Sequence, residues 1–207
     1  MARLADTLSF MEALTAARTG PEVQAVLFDL AGRYGFDSAF GGLLPPTGVE
    51  PTEVEDLMLI QQFPAGWAER YGGQGYLFRD PTYHRAMRPE FDEFTWADAF
   101  ARGPSKADAD LIAGEAAEFG LKEGVVIPVE LLDKCKVIIS FGGLQPSYGP
   151  DDIKALAFAT SCTIGKLLLL RADRGVTSPL SRREHDCLSW AAEGKSDVSL
   201  VITQPML

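Results

Sequence analysis

The segment from Phe63 to Trp96 reads FPAGWAERYGGQGYLFRDPTYHRAMRPEFDEFTW, and the rest of the chain is arranged around it. Trp67 and Tyr71 are four residues apart, so on a helix they share one face. Asp80 can cap a second helix, which begins with the proline that follows it. One aromatic face and one carboxylate predict the wall of a pocket for a small, mostly apolar ligand with a polar head. The alternative interpretation is that the aromatic side chains are core and the carboxylate is only a cap.

Two amphipathic helices are predicted before this segment. The first helix is predicted to carry one apolar stripe, made of Leu4, Leu8, Met11 and Leu14. Gly20 is predicted to end it, and the second helix then runs from Pro21 to a stop at Gly35.

Four strands are predicted at residues 36–44, 57–62, 125–132 and 135–144, and the last two read as a hairpin. Gly41 and Gly42 leave space beside the sheet, either for close packing or for a ligand. Residues 104–119 read as a helix that Gly120 stops, and Asp151 can cap a long apolar helix that covers the sheet, supports dimerisation, or does both. These elements predict an α/β fold, an α-β-α sandwich with a central antiparallel sheet.

Composition argues against several classes of protein. The chain has 207 residues and a formal net charge of -10, which disfavours a protein whose whole surface grips nucleic acid. No apolar run approaches the ~20 residues of a membrane span, and the N-terminus lacks a signal-peptide pattern. Three widely spaced cysteines fit a reducing cytoplasm and form no metal or disulfide pattern. We therefore expect a cytoplasmic protein with no membrane segment, no metal and no other cofactor.

Catalysis has little support in the sequence. The two histidines, His84 and His185, form no recognisable pattern with a cysteine or an acid pair. The chain has no nucleophile elbow, no Walker loop and no zinc spacing. We therefore expect no catalytic residue and no enzyme.

The order of motifs resembles one known family. Pro-x-x-Trp-x-x-x-Tyr, then Asp-Pro, then Trp is similar to the signature of the autoinducer-binding domain of LuxR-type quorum-sensing regulators. Phe119–Pro128 (FGLKEGVVIP) is similar to the family's FG-x-x-x-G segment, and Leu180–Lys195 (LSRREHDCLSWAAEGK) looks like the opening of its DNA-binding domain. The resemblance covers most of the chain and implies the same α-β-α architecture.

The resemblance implies that the ligand is an N-acyl-homoserine lactone. In such a site Trp67 donates its indole N–H to the lactone carbonyl. Asp80 accepts from the amide N–H in a charge-assisted hydrogen bond. Tyr71 and Trp96 then form walls around the head group.

Three further positions follow from the same resemblance. Thr82 lies beside the lactone, and Ser140 stands where the family often has a Ser or Thr that bonds the region of the acyl carbonyl. Phe63 stands where the family usually has a tyrosine, whose hydroxyl would bond the amide carbonyl. Either Ser140 or a water molecule donates this hydrogen bond in place of the missing hydroxyl, or the affinity for the ligand is lower.

The predicted domain organisation has three parts. Residues 1–171 form the autoinducer-binding and dimerisation domain, 172–179 a linker, and 180–207 an incomplete helical fragment of a helix-turn-helix domain. The last part holds three basic and four acidic residues, a net of -1, which is a poor electrostatic footprint for DNA. We therefore expect no direct DNA binding.

These features lead to one functional hypothesis and several alternatives. The first is a signal-binding regulator that forms a homodimer, and that acts as an anti-activator by pairing with a full-length LuxR-type relative. The second is an independent small-molecule sensor whose homodimer has no role on DNA. A truncated form of an ordinary LuxR-type transcription factor also fits, and a lactone-degrading enzyme is disfavoured because no nucleophile or metal ligands are recognisable.

Overall fold

The computed structural model describes residues 2–44, 57–90, 92–131 and 135–173. Contacts divide the chain into two compact units, Met1–Leu168 and Leu169–Leu207, and the sheet belongs to the first. Several predictions lie outside the described residues: the turn at residues 45–48, the turn of the hairpin at 133–134, the linker after residue 173, and the fragment at 180–207.

The described residues form helices of six to 24 residues and strands of two to eight residues. The helices are α1 (Ala2–Ala16), α2 (Gly20–Gly32), α3 (Trp67–Gly73), α4 (Pro81–Ala86), α5 (Trp96–Ala101), α6 (Lys106–Glu118) and α7 (Pro150–Asp173). The strands are β1 (Ser38–Leu43), β2 (Met58–Gln62), β3 (Phe94–Thr95), β4 (Glu123–Glu130) and β5 (Lys136–Gly143). A short 3-10 turn covers Leu77–Arg79 between α3 and α4.

The strands form one antiparallel sheet in the order β2-β1-β5-β4-β3. Side chains directly opposite one another in such a sheet share a face, and those of consecutive residues alternate. One row across the sheet is Phe94, Val126, Ser140, Phe40 and Gln61. The predicted antiparallel α/β sandwich is confirmed, with β3 as a short strand that the sequence pattern did not indicate.

The two faces of the sheet are covered by different helices. Phe141 and Ile139 on β5 are fully buried on the face opposite Ser140, and Phe36 packs against the Phe141 ring. None of the buried side chains described for α1, α2 and α7 belongs to the cluster on the Ser140 face. That face meets α3 to α6, whose buried side chains form one cluster with Val126. The site lies in this second layer.

Two glycines allow a close backbone approach in the middle of the sheet. Gly41 has φ +147°, and a Cβ there would lie 2.0 Å from the carbonyl oxygen of Ile138. A Cβ on Gly42 would lie 2.0 Å from the carbonyl oxygen of Leu57, beside a break in the β1–β2 register. Close packing is therefore one reason for this glycine pair.

The N-terminal helices differ from the prediction in their faces and boundaries. Leu8 is 56% exposed, whereas Phe10 and Leu14 are buried, so the predicted stripe through Leu8 is wrong. The apolar set at positions 10, 14 and 17 has helical spacing and includes the larger ring, which explains why this face packs inward. Gly20 does not end α1, because Thr19 and Glu22 form a capping box that starts α2 there.

The long closing helix α7 begins at Pro150, so Asp151 lies in its first turn and is not its cap. Asp152 accepts from the backbone N–H of Gly149 at 2.8 Å instead. By length and composition, Pro150–Arg171 could cross a membrane, contrary to the expectation from the sequence. Leu156 and Ile164 are nevertheless buried inside the protein, as in a helix that packs on a core.

Candidate functional site

A cavity of about 1070 Å³ lies between the Ser140 face of the sheet and the layer of α3 to α6. Strands β1 and β5 contribute its floor, and α3, the 3-10 turn, α5 and α6 contribute its walls. All the residues that the sequence singled out line it: Phe63, Trp67, Tyr71, Asp80, Thr82, Trp96 and Ser140. They come from separate parts of the chain, so the fold itself brings them together.

Trp67 begins α3 and is 2% exposed. The helix starts there because Gly66 takes a left-handed conformation with φ +82° at the N-cap. The indole ring lies against Tyr71 and Phe119, with ring centroids 5.5 and 5.4 Å away. Its Nε1–H has no hydrogen-bond partner, which is costly for a buried donor and marks a place for an acceptor.

Asp80 caps α4, as predicted, and anchors the polar corner of the cavity. Its Oδ1 accepts from both the backbone N–H and the hydroxyl of Thr82 at 2.7 Å. Its Oδ2 accepts from the Tyr71 hydroxyl at 2.8 Å. Two carboxylate oxygens offer about four acceptor positions, so about one remains for a ligand.

The buried setting of this corner changes the acidity of both partners. Desolvation raises the pKa of Asp80 above its ordinary value of 3.8, although the hydrogen bonds from Thr82 and Tyr71 act in the opposite direction. Desolvation and the neighbouring Asp80 carboxylate raise the pKa of Tyr71 well above 10.0, so the phenol remains a donor. The corner therefore presents a carboxylate that is already oriented toward the cavity by three donors.

Trp96 lies over the sheet beside Ser140. Its Nε1–H donates to the Ser140 hydroxyl oxygen at 2.8 Å, and both residues are buried. A Cβ on Gly124 or on Gly142 would lie 2.4 Å from an atom of the indole ring. Gly124 is the last glycine of the FG-x-x-x-G segment, so the absence of its side chain is what admits the ring.

Phe63 lies at the junction of β2 and α3, and its ring stacks on Phe40. The ring centroids are 4.8 Å apart with an interplanar angle of 21°. Phe40 is directly opposite Ser140 in the β1–β5 pairing, so this aromatic pair borders the hydroxyl on the same face of the sheet.

Comparison with known proteins identifies the family of the chain. The family model described as the autoinducer binding domain matches residues 20–166. This chain belongs to that family. BjaR1 of Bradyrhizobium diazoefficiens, a transcriptional activator, is 26% identical over 193 residues, which cover 92% of this chain and 78% of BjaR1. The quorum-sensing-dependent regulator RpaR of Rhodopseudomonas palustris is 28% identical over 150 residues, covering 71% of this chain and 61% of RpaR.

Two solved structures share the fold of this chain. The chain aligns with SdiA of Escherichia coli at a TM-score of 0.65 and 19% identity, over 98% of this chain and 84% of SdiA. It aligns with CepR2 of Burkholderia cenocepacia, a LuxR-family protein, at a TM-score of 0.59 and 20% identity, over 84% of this chain and 98% of CepR2. The architecture is therefore that of LuxR-type ligand-binding domains.

The autoinducer-binding domain also contains ion pairs that the sequence analysis did not predict. Arg70 on α3 pairs with Glu115 at 3.0 Å, and Arg79 donates its Nε–H to Asp108 at 2.9 Å. Both acids are on α6 and are seven residues apart, which is two helical turns. These pairs fasten two elements to the neighbouring helix: α3, which carries Tyr71, and the 3-10 turn, which leads to Asp80.

No group of three or more metal-ligating side chains occurs among the residues that the structure describes. The family is one of ligand-binding transcriptional regulators. The cavity offers one unpaired donor on Trp67 and one oriented carboxylate on Asp80, among lining side chains that are mostly apolar.

Proposed function

We propose that the cavity binds an N-acyl-homoserine lactone and that the chain acts as a signal-responsive regulator of the LuxR type in the cytoplasm. Such a ligand has a lactone carbonyl, an amide N–H, an amide carbonyl and an apolar chain. Each of its polar atoms must find a partner in a dry pocket or lose about 1–3 kcal/mol of binding free energy.

The observation that carries this proposal is the unpaired Nε1–H of Trp67. A donor buried at a cavity wall is complementary to a carbonyl oxygen, and we assign it the lactone carbonyl. Asp80, oriented by Tyr71 and Thr82, then accepts from the amide N–H. A ligand with an acceptor and a donor on one compact head fits both groups at once.

The remaining walls suit the rest of such a molecule. Trp96 packs at the head-group end, and Thr82 holds the carboxylate while lying beside the lactone. Two structural relatives support an acyl chain on a polar head: CepR2 is described as N-acylhomoserine lactone dependent, and SdiA has been solved with octanoyl-rac-glycerol. Against SdiA in that complex the TM-score is 0.61 at 18% identity, over 98% of this chain and 81% of SdiA.

Calorimetric titration together with thermal unfolding tests the ligand assignment. At a free ligand concentration of 100 times Kd, mass action adds about 2.7 kcal/mol to the unfolding free energy. For a domain of this size that corresponds to a rise in Tm of roughly 5–10 °C. A series of acyl-homoserine lactones that gives neither heat nor a shift in Tm would contradict the proposal. Mass spectrometry of the ligand after incubation, if it shows intact lactone, also excludes the lactone-degrading alternative.

A homodimer through α7 is the partner arrangement that we propose for this regulator. Phe158, Cys162, Gly165 and Leu169 follow one another at helical spacing along α7. Phe158 is 48% and Leu169 is 65% exposed, and no atom lies within 4 Å of a Cβ placed on Gly165. Sedimentation analysis of the chain and of Phe158→Glu measures the oligomeric state, and a monomer in both would argue against this surface.

The anti-activator role remains a hypothesis, and the sequence of residues 180–207, with its net charge of -1 and Pro205, favours it. A mixed dimer with a full-length relative would have one DNA-binding domain able to contact the operator, and in a symmetric dimer each such domain contributes phosphate and base contacts. Co-expression with such a relative, capture by a tag on one partner and measurement of operator binding test the idea. Mixed dimers that activate normally, or that never form, would favour the independent sensor.

A further inference from the structure

One acidic side chain on α6 contacts two parts of the cavity wall from outside the cavity. Ala116 lines the cavity, whereas Glu115 beside it lies outside the lining, with its side chain 22% exposed. The Glu115 carboxylate accepts from the Arg70 Nη1–H at 3.0 Å and from the Tyr76 hydroxyl. Arg70 belongs to α3 and Tyr76 directly precedes the 3-10 turn, so a single carboxylate connects both elements to α6.

The contact through Arg70 leads to the indole of Trp67. The guanidinium carbon of Arg70 lies 5.8 Å from the centroid of the Phe119 ring, which is within the range of a cation–π contact. The Phe119 ring centroid lies 5.4 Å from that of the Trp67 indole, whose Nε1–H has no hydrogen-bond partner among the described residues. The ion pair therefore acts, through one ring, on the group that we expect to donate to the ligand.

The contact through Tyr76 leads to the Asp80 carboxylate. Tyr76 is 1% exposed, and its ring packs edge-on against Tyr71 at a centroid distance of 5.9 Å. The Tyr71 hydroxyl in turn donates to Asp80 Oδ2 at 2.8 Å. Burial, and then the hydrogen bond to Glu115, raise the pKa of Tyr76 above its ordinary value of 10.0, so the phenol remains a donor to that carboxylate.

We propose that Glu115 is a positioning residue of the ligand site. Through Arg70 it fixes the indole N–H of Trp67, and through Tyr76 it fixes the phenol of Tyr71. This inference rests on the proposed function and adds that the affinity of the site depends on a charge outside the cavity. Without that charge a larger fraction of the free protein has the two groups out of place, and the apparent Kd rises in proportion.

Calorimetric titration of the full chain with N-octanoyl-homoserine lactone tests this role. Glu115→Gln keeps the size of the side chain and an acceptor for Tyr76, but removes the charge. It should bind roughly twofold to fivefold more weakly, the ratio that corresponds to an ion pair near a protein surface. An ion pair that only added to overall stability would leave Kd unchanged, because the native state stays almost fully populated without it.

Asp110→Asn is the matched control. Asp110 is also on α6, and its partner is Lys106 at 3.3 Å, four residues earlier on the same helix. The substitution therefore removes the same charge and breaks an ion pair, but the pair does not connect α6 to α3. Its Kd should equal that of the natural sequence.

Ionic strength gives a second measurement that does not depend on packing. The hydrogen bond from Arg70 holds the pKa of Glu115 below its ordinary value of 4.5, so the pair is charged at neutral pH, and its side chains are 40% and 22% exposed. Raising the salt from about 0.01 M to about 1 M shortens the Debye length from about 30 Å to about 3 Å. The affinity ratio of the natural sequence to Glu115→Gln should therefore fall toward one. The effect of salt on the uncharged ligand is the same for both proteins and cancels in this ratio.

The outcomes separate this role from the proposed function. Urea denaturation confirms that each variant is folded and measures its stability. An unchanged Kd in Glu115→Gln, or an equal loss in Asp110→Asn, would overturn the positioning role and leave the proposed function intact. An affinity ratio that stays constant with salt would also overturn it, because the charge would then not be the cause. Absence of binding by the natural sequence would overturn both.

Discussion

Replacement of Trp67 by Phe should change stability and ligand affinity to different extents. In the free protein, Phe removes a buried N–H that has no partner, and relief of that desolvation contributes about 1–3 kcal/mol in favour of folding. Truncation of a buried aromatic ring to Ala costs about 3–5 kcal/mol, and we take roughly a third of that for the change from indole to phenyl. The two contributions oppose each other, so the unfolding free energy should change by about -1 to +2 kcal/mol.

Trp96→Phe is a matched control for this experiment. Trp96 is also a buried indole of the cavity, but its N–H is bonded to Ser140 at 2.8 Å. Here the lost packing and the lost hydrogen bond act in the same direction, so the substitution should cost about 2–3 kcal/mol. Both variants replace an indole by a phenyl ring. They differ in whether the N–H that is lost had a hydrogen-bond partner in the protein.

Urea denaturation measures the stabilities, and calorimetric titration with N-octanoyl-homoserine lactone measures the affinity. Trp67→Phe should bind roughly fivefold to a hundredfold more weakly, the loss expected for one unpaired carbonyl. The reasoning fails if Trp67→Phe destabilises the free protein as much as Trp96→Phe does and leaves the affinity unchanged, because the Nε1–H would then have a partner in the protein.

Three further outcomes are expected. Because burial raises the pKa of Asp80, the folded chain holds the carboxyl proton more tightly than the unfolded chain does. The unfolding free energy should therefore fall as the pH rises from 3.8 to the folded pKa of Asp80. Urea denaturation across that pH range should show no such fall for Asp80→Asn, and a fall that persists would implicate another group. Gly124→Ala should lower the unfolding free energy by about 1–3 kcal/mol and weaken ligand binding, because the new methyl group displaces the Trp96 indole. The control is Gly114→Ala, in open space on α6, which should be neutral or raise the unfolding free energy by up to about 1 kcal/mol. Similar thermal unfolding of both variants would contradict the packing argument. Thr19→Ala should destabilise by about 0.5–2 kcal/mol because it removes the capping box of α2, and an unchanged urea midpoint would show that the cap contributes little.

Features that depend on neighbours in the sequence were predictable. Asp80 followed by Pro81 indicates a helix start by itself, and the cap is confirmed. Gly120 indicates a helix stop, and it has φ +81° directly after α6. In both cases the backbone requirement is met within two or three residues, so no knowledge of the tertiary packing is needed.

Features that depend on strand register were not predictable. Phe40 and Ser140 are 100 residues apart in sequence and directly opposite in the sheet, so their shared face follows only from the β1–β5 pairing. The stack of Phe63 on Phe40 depends in the same way on the β1–β2 pairing, and no local pattern indicates it. The stripe of α1 failed for a related reason: apolar residues occupy more than one side of that helix, and packing decides between Leu8 and Phe10.

The cavity itself follows from an imbalance between the two faces of the sheet. On one face β5 presents Phe141 and Ile139, which are fully buried, and the helices close over them. On the other face the same strand presents Gly142 and Ser140, and the bulk comes from Trp96, which lies where side chains would otherwise stand. Small residues on a strand thus leave room for an aromatic ring to lie against the sheet. Because the indole N–H also donates to Ser140 on the same strand, the sheet fixes the position of this wall of the cavity. A ligand that fills the space therefore contacts side chains that the sheet positions, and we expect its affinity to depend on the few polar partners described here.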